Sequence, residues 1–178
     1  MNKLSAHDKR KRREKHWVGI IIHHTGIGGR KVISEALWAR LYRNITAYLG
    51  AKDKNYVSAH YTIGRHGETT ELVDPKEYEA FHAGKSTHWC GYHRRIVSDW
   101  NRSAIGIELI GDGNIHEYSE EQYEALIDLC CYLVATHDTI HPLNILGHEA
   151  ISPGRKDDPG KFFDWNYLFE GIYHSVQD

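Results

Sequence analysis

The sequence of 178 residues has few cysteines and no long apolar run. Its three cysteines, Cys90, Cys130 and Cys131, are an odd number and lack the spacing of a disulfide framework. Cys130 and Cys131 are neighbours in a predicted helix, and we expect them to stay reduced, as in a cytoplasmic protein. No apolar run approaches the ~18 residues of a membrane-spanning helix. These absences argue against a disulfide-stapled secreted scaffold and against a membrane span.

The N-terminus is basic but is not followed by the apolar segment of a secretory signal. Residues 1–15 contain seven basic and two acidic side chains, whereas the rest of the chain contains 15 basic and 22 acidic ones. The apolar stretch at 17–22 is too short for a signal, so we expect a cytoplasmic location on synthesis. We predict a mobile, solvated basic arm over residues 1–15 and one domain over residues 16–178.

Composition and periodicity predict the fold class. The chain is 40% apolar and 26% charged, as in ordinary globular domains. Strands alternate with helices, which predicts a single α/β domain with a central mixed β-sheet flanked by helices. Weak periodicity over 84–102 predicts a loop near the site. The predicted strands cover 17–23, 59–63, 70–73, 104–110 and 144–148; the predicted helices cover 34–49, a segment capped by Ser119 and Gln122, and 164–173.

Two separate parts of the sequence offer metal ligands. His23 ends an apolar strand, and His148 lies in the segment 147–159 with several carboxylates. Glycines and prolines force this segment along an irregular, rigid path. Two imidazoles and a carboxylate are the ligand set of a zinc ion that keeps its fourth position open, as hydrolytic zinc sites do.

Neighbouring residues offer alternatives for this set. His24 follows His23, but adjacent strand residues point to opposite faces, so only one of the two can reach a given metal. Asp157 competes with Asp158 and could instead cap the local loop. A second possible metal site, formed by His88, Cys90 and His93, lacks a fourth ligand. Five other histidines have no metal-binding motif around them: His7, His16, His116, His137 and His141.

The motifs together resemble the type-2 N-acetylmuramoyl-L-alanine amidases. This zinc superfamily includes bacterial anhydromuropeptide amidases, phage endolysins and animal peptidoglycan recognition proteins. The resemblance implies one Zn²⁺ per chain, bound at one edge of the sheet by His23, His148 and Asp158. A carboxylate as third ligand binds zinc readily, although some animal members have a cysteine there. The landmarks follow the family's order at 20–25, 57–61, 81–84, 104–109 and 147–159.

The resemblance also implies the catalytic residues. Glu108 matches the glutamate that serves one branch as general base towards the attacking water. Lys156 would donate to the oxyanion that forms as the amide is attacked, which is worth roughly 3 kcal/mol for a well-placed donor. Another branch uses a tyrosine instead. Here Ala59 occupies that position and Tyr61 is displaced by two residues, so we favour the glutamate mechanism.

Further residues are expected to contact the substrate. The segment 81–84 and the aromatic residues after it are predicted to line a groove, because aromatic faces stack on sugar rings, although core packing explains each of them equally well. We therefore predict that the substrate contacts His82, Ala83, Gly84 and Arg155.

The implied reaction is hydrolysis of the amide bond between N-acetylmuramic acid and L-alanine, in peptidoglycan or in muropeptides. We expect an endolysin for two reasons. The sequence His23-His24-Thr25 differs from the corresponding motif of the recycling enzymes, and a basic arm would bind an anionic cell envelope. A cytosolic anhydromuropeptide amidase of wall recycling and a non-catalytic peptidoglycan-binding protein are the alternatives. All ligand and catalytic positions are present, which favours an enzyme. We expect a monomer with no nucleic-acid partner.

Overall fold

The computed structural model describes residues 2–3, 9–12, 16–26 and 58–175. The helix predicted over 34–49 lies outside these residues, as does the start of the 57–61 motif. Within them, the strands are β1 (Asn2–Lys3), β2 (Lys9–Lys11), β3 (Gly19–His24), β4 (Tyr61–Ile63), β5 (Thr69–Glu71), β6 (Tyr78–Ala80), β7 (Thr87–Cys90), β8 (Arg95–Ser98), β9 (Ala104–Leu109) and β10 (Ile145–Gly147). The helices are α1 (Trp100–Ser103), α2 (Glu120–Thr136), α3 (His148–Ile151) and α4 (Trp165–Ser175), with a 3-10 turn at Pro142–Asn144.

A mixed sheet of six strands is the centre of the domain, in the order β1-β5-β4-β9-β3-β10. β3 runs parallel to both β9 and β10, and β4 runs parallel to β9 and antiparallel to β5. The predicted fold class, a single α/β domain with a central mixed sheet, is confirmed. The strand predictions near 17–23, 59–63, 70–73, 104–110 and 144–148 correspond to β3, β4, β5, β9 and β10.

Side-chain alternation along the strands produces two buried layers. Ile20 and Ile22 of β3 pack on one face of the sheet, in a core that includes Leu126 of α2 and Leu168 of α4. Ile21 packs on the opposite face, in a second cluster with residues of β7, β8, α1 and α3. Because strand residues alternate between faces, His23 projects from the same face as Ile21.

The helix α2 begins at the predicted capping box. The Ser119 hydroxyl accepts a hydrogen bond from the Gln122 backbone N–H at 3.2 Å, and the Gln122 side chain accepts one from the Ser119 N–H at 3.3 Å. These bonds satisfy two N–H groups that a helix start otherwise leaves unpaired. The capping prediction is confirmed.

The segment 84–102, predicted as a loop, instead contains a hairpin and a short helix. β7 and β8 pair antiparallel, with Thr87 opposite Ser98 and Cys90 opposite Arg95. Helix α1 follows and buries Trp100 completely. The loop prediction was wrong because most hairpin side chains are exposed, including Trp89 and Ile96, so the segment lacks the apolar alternation of a half-buried strand.

Part of the basic N-terminal segment packs on the domain. β2 pairs antiparallel with β6, and Arg10 forms an ion pair with the fully buried Glu79, with its Nε 2.6 Å from Oε2. Arg12 lies over the Trp17 ring at 4.4 Å from its centroid. Residues 9–12 thus differ from the expected mobile arm. The sequence suggested a solvated run because it has no apolar residues, whereas its cations are used in an ion pair and in contacts with aromatic rings.

This docking predicts a stability effect. Replacing Arg10 by alanine is expected to lower the free energy of unfolding by about 1–3 kcal/mol, because it removes charge-assisted hydrogen bonds from a buried carboxylate. Urea denaturation measures the change. Lys11→Ala is the control, since Lys11 is an exposed residue of the same strand. Equal stability of the Arg10→Ala variant and the wild type would contradict this docking and would indicate that residues 9–12 belong to a mobile arm.

Candidate active site

The candidate site lies at the carboxyl ends of two parallel neighbouring strands. His23 is near the end of β3, and His148 directly follows β10, whose Gly147 pairs with Ile22. The loop that carries Asp158 is held on the start of α3, because the Glu149 N–H donates to the Asp158 carbonyl at 3.1 Å. Three separate chain segments thereby meet at one edge of the sheet.

The three predicted ligands form a compact buried cluster. His23 Nδ1 lies 3.0 Å from His148 Nδ1 and 2.8 Å from Asp158 Oδ2, and His148 Nδ1 lies 3.0 Å from the same oxygen. All three residues are at most 5% exposed. Neighbouring ligands of a tetrahedral zinc with bonds of ~2.0–2.1 Å lie about 3.3 Å apart, so this spacing and this donor set suit zinc.

Hydrogen bonds behind the cluster orient both imidazoles. His148 Nε2 lies 3.0 Å from the Ala83 carbonyl, which can only accept, and 3.4 Å from Arg155 Nη2; a ring that donates Nε2–H to the nearer carbonyl has its Nδ1 lone pair free for a metal. His23 Nε2 lies 2.9 Å from His82 Nδ1, on the side away from the cluster. Lone pairs and a carboxylate then face one another, an arrangement that a bound cation stabilises.

Burial sets the protonation states that metal binding requires. It lowers the pKa of His23 to about 4 and that of His82 well below its usual value. Burial alone raises the pKa of Asp158, but contacts with His148 and His23 outweigh it and hold that pKa below its ordinary range. At neutral pH His23 is therefore neutral and Asp158 ionised, the forms that ligate a metal.

The competing ligand candidates lie outside the cluster. His24 Nδ1 accepts the Gly113 N–H at 3.1 Å, and Asp157 is exposed and accepts a hydrogen bond from Asn114. His88 and His93 contact the backbone carbonyls of Ala150 and Thr139. Among the residues that the structure describes, only His23, His148 and Asp158 form a group of three or more that could hold a metal ion.

Glu108 lies beside the cluster. It is directly opposite His23 in the register of β3 and β9, so both side chains project from the same sheet face. Glu108 is 8% exposed and lines a cavity of ≈310 Å³ together with all three cluster residues and Lys156, which is exposed at its rim. The structure brings the two predicted catalytic residues to the same cavity.

The tyrosine alternative is not supported by the placement of Tyr61. In the pairing of β4 with β9, Thr62 is opposite Glu108 and Tyr61 is opposite Ile107. Tyr61 therefore projects into the core on the other face of the sheet, where it is 2% exposed. Burial raises the pKa of its hydroxyl above the ordinary value, which makes it a poor base.

The predicted substrate contacts have protein partners. Nη2 of Arg155 lies 2.7 Å from the Ala83 carbonyl oxygen, 2.9 Å from the Lys85 carbonyl oxygen and 2.6 Å from the Ser152 hydroxyl, and its two protons are shared among these three acceptors. His82, Gly84 and Arg155 line the cavity, whereas Ala83 is fully buried. These contacts indicate that His82 and Ala83 support the cluster. The sequence motif pointed to this segment, but which ring nitrogen or carbonyl meets a ligand depends on the three-dimensional packing.

A larger cavity of ≈560 Å³ lies elsewhere, lined by the polar and aromatic residues of the segment 161–166 and by Glu117, Tyr118 and Tyr123. No residue of the cluster lines it. The smaller cavity is the candidate active site, because it contains the converging ligands and the carboxylate of Glu108.

Comparison with known proteins agrees with this chemistry. The family profile of N-acetylmuramoyl-L-alanine amidase, Amidase_2, matches residues 13–161. The chain belongs to this family. It is 33% identical over 157 residues to the 1,6-anhydro-N-acetylmuramyl-L-alanine amidase AmpD of Haemophilus influenzae, covering 86% of this chain and 81% of that protein. The match to the Escherichia coli enzyme of the same name is 39% identical and covers 61% of this chain and 54% of that protein.

Solved structures of amidases are also similar to this chain. A crystal structure of an AmpD derivative superposes with a TM-score of 0.72 at 28% identity, covering 96% of this chain and 93% of that one. The amidase AmiD of E. coli, solved with anhydro-N-acetylmuramic acid-L-Ala-D-gamma-Glu-L-Lys, has a TM-score of 0.67 at 27% identity and covers 89% of this chain and 58% of that one. The expectation of an amidase is confirmed.

The endolysin role expected from the sequence is not specifically supported. The Ph2119 endolysin of a Thermus scotoductus bacteriophage has a TM-score of 0.62 at 14% identity, a likeness of fold alone. The matched relatives named as 1,6-anhydro amidases agree better with the alternative, an anhydromuropeptide amidase. No helix in the described part of the chain has the length and apolar character needed to cross a membrane.

Proposed function

We propose that this chain hydrolyses the amide bond between the muramic acid and L-alanine of anhydromuropeptides, with one zinc ion held by His23, His148 and Asp158. The cluster of these three side chains, with donor atoms 2.8–3.0 Å apart and Glu108 on the adjacent strand, carries the proposal. The complete ligand set favours an enzyme over a protein that only binds peptidoglycan.

Beside the three metal ligands, two side chains that line the cavity have roles in this reaction. Zinc, when bound, supplies Lewis-acid chemistry, since it polarises a carbonyl and lowers the pKa of water. Glu108 accepts a proton from the attacking water and returns it to the departing amine of L-alanine. Lys156 extends from the exposed rim and donates to the developing oxyanion. Products are a muramic acid carboxylate and a peptide with a free L-alanine amino terminus.

The choice of anhydromuropeptides rests on the relatives. The Haemophilus influenzae protein, which aligns over most of both chains, is named for the 1,6-anhydro sugar, and the structure of AmiD contains an anhydro-sugar peptide. Three cations near the N-terminus, those of Lys9, Arg10 and Arg12, contact aromatic rings of the domain. These contacts weaken the argument for an arm that extends towards an anionic wall.

The substrate preference is tested by comparing a soluble anhydromuropeptide with intact sacculi. We expect faster release of L-alanine amino termini from the soluble fragment and no new reducing sugar ends, because an amidase cuts peptide from glycan. Amine labelling and a reducing-end assay measure the two products, with His148→Ala as the inactive control. Preferential release from sacculi would restore the endolysin role. Reducing ends as the main product would indicate a glycosidase.

A further inference from the structure

We propose that His82 is a positioning residue that fixes the proton of His23 on Nε2 and thereby presents the Nδ1 lone pair of His23 to the metal. This inference rests on the zinc site proposed above and concerns how the chain prepares one of its ligands. It assigns a role to a side chain that the sequence had placed among the substrate contacts.

The direction of the hydrogen bonds follows from one carbonyl group. His82 Nε2 lies 3.1 Å from the carbonyl oxygen of Ala104, which can only accept, so this nitrogen carries a proton. A neutral imidazole has one N–H proton, so Nδ1 of His82 is unprotonated and accepts a hydrogen bond. His23 Nε2 must therefore donate across the 2.9 Å contact. The remaining nitrogen of His23 is then an unprotonated Nδ1, the atom that lies 2.8 Å from Asp158 Oδ2.

The surroundings of His82 favour the neutral ring. Its side chain is buried, and it forms no ion pair with a carboxylate of the described residues. Its aromatic neighbours are the rings of His23 and His60, at centroid distances of 5.1 and 5.7 Å. A second proton on His82 would bury a positive charge beside two other imidazoles and beside the proposed metal, which is unfavourable.

The backbone around His82 leaves its ring little freedom. A Cβ on Gly106 would lie 2.4 Å from Cγ of His82, so the absence of a side chain there lets the ring lie against β9. The residues on either side of His82 are fixed as well. The Phe81 N–H donates to the Ser58 hydroxyl at 2.8 Å, and the Ala83 N–H donates to the Asn101 side chain at 2.7 Å.

Two consecutive residues therefore orient both imidazole ligands. The ring of His82 holds His23, and the carbonyl of Ala83 holds His148. Only the first contact uses a side chain, so it is the one that substitution can remove. Groups that orient the imidazole ligands of metal sites typically change metal affinity 10–100-fold when they are replaced.

The first test compares His82→Leu with His82→Asn. Leucine keeps an apolar bulk but cannot accept a hydrogen bond, whereas the amide oxygen of asparagine lies near the position of Nδ1 and can accept from His23. We expect the zinc dissociation constant, measured by chelator competition, to rise about 10–100-fold for His82→Leu and to recover most of the wild-type value for His82→Asn. Thermal unfolding checks that both variants fold. Wild-type zinc affinity in His82→Leu would overturn the inference.

The second test needs no substitution. In ¹⁵N NMR spectra of the wild-type protein, His82 should carry its proton on Nε2, and the Nε2–H of His23 should show ¹⁵N–¹⁵N coupling to His82 Nδ1 across the hydrogen bond. A proton on Nδ1 of His82 would overturn the inference even if the variants fail to fold. A wild-type chain that binds no zinc would instead overturn the proposed metal site, while the inferred proton positions would still be decided by this spectrum.

Discussion

Replacing His148 by alanine should remove zinc from the protein and abolish amide hydrolysis. His148 Nδ1 lies 3.0 Å from both His23 Nδ1 and Asp158 Oδ2, so its loss leaves two ligands where a catalytic zinc site uses three. Without the metal, the reaction loses several kcal/mol of transition-state stabilisation, and we expect kcat/KM to fall by about 10³ or more. Elemental analysis of the purified protein and an amine-release assay measure the two effects.

His24→Ala is the matched control for this experiment. His24 adjoins His23 in the sequence and lines the same cavity, but its Nδ1 accepts the Gly113 N–H and lies outside the cluster. We expect this variant to retain one zinc per chain and most of its activity. Full zinc content in His148→Ala, or loss of zinc in His24→Ala alone, would show that the ligand assignment is wrong.

The sequence predicted the central strands and the ligand segments because their signals are local. The run of isoleucines before His23 indicates a strand that is buried on both sheet faces, and the glycines and prolines around His148 predict a rigid loop. By contrast, the pairing of β2 with β6 joins residues about 70 positions apart and uses charged side chains. No periodicity in the basic segment distinguishes such a strand from a solvated tail.

The roles of the site residues also differ in whether a local sequence pattern predicts them. The strand register places Glu108 opposite His23, and the sequence motif had already singled out both residues. The role of His82 depends on which nitrogen faces the Ala104 carbonyl, a property of packing across β9 that no local pattern encodes. The sequence could therefore identify the segment 81–84 as part of the site but not what it contacts.

Replacing Glu108 by glutamine or Lys156 by alanine is expected to lower kcat while zinc stays bound. Glu108 lines the cavity beside the cluster, and glutamine keeps its shape but cannot take a proton from water. Lys156 is exposed at the rim, so its removal should cost oxyanion stabilisation with little effect on the fold. General base catalysis and a single oxyanion donor each contribute about 10² or more to kcat, and we expect falls of that size.

Zinc content and kcat, measured on the same preparations, separate the possible roles of these two residues. Glu117→Gln and Lys85→Ala are the matched controls, since both side chains are exposed and neither residue lines the candidate cavity. They should retain wild-type turnover. Loss of zinc in Glu108→Gln would make that carboxylate a metal ligand instead of a base. Unchanged turnover in Lys156→Ala would show that Lys156 is not the oxyanion donor.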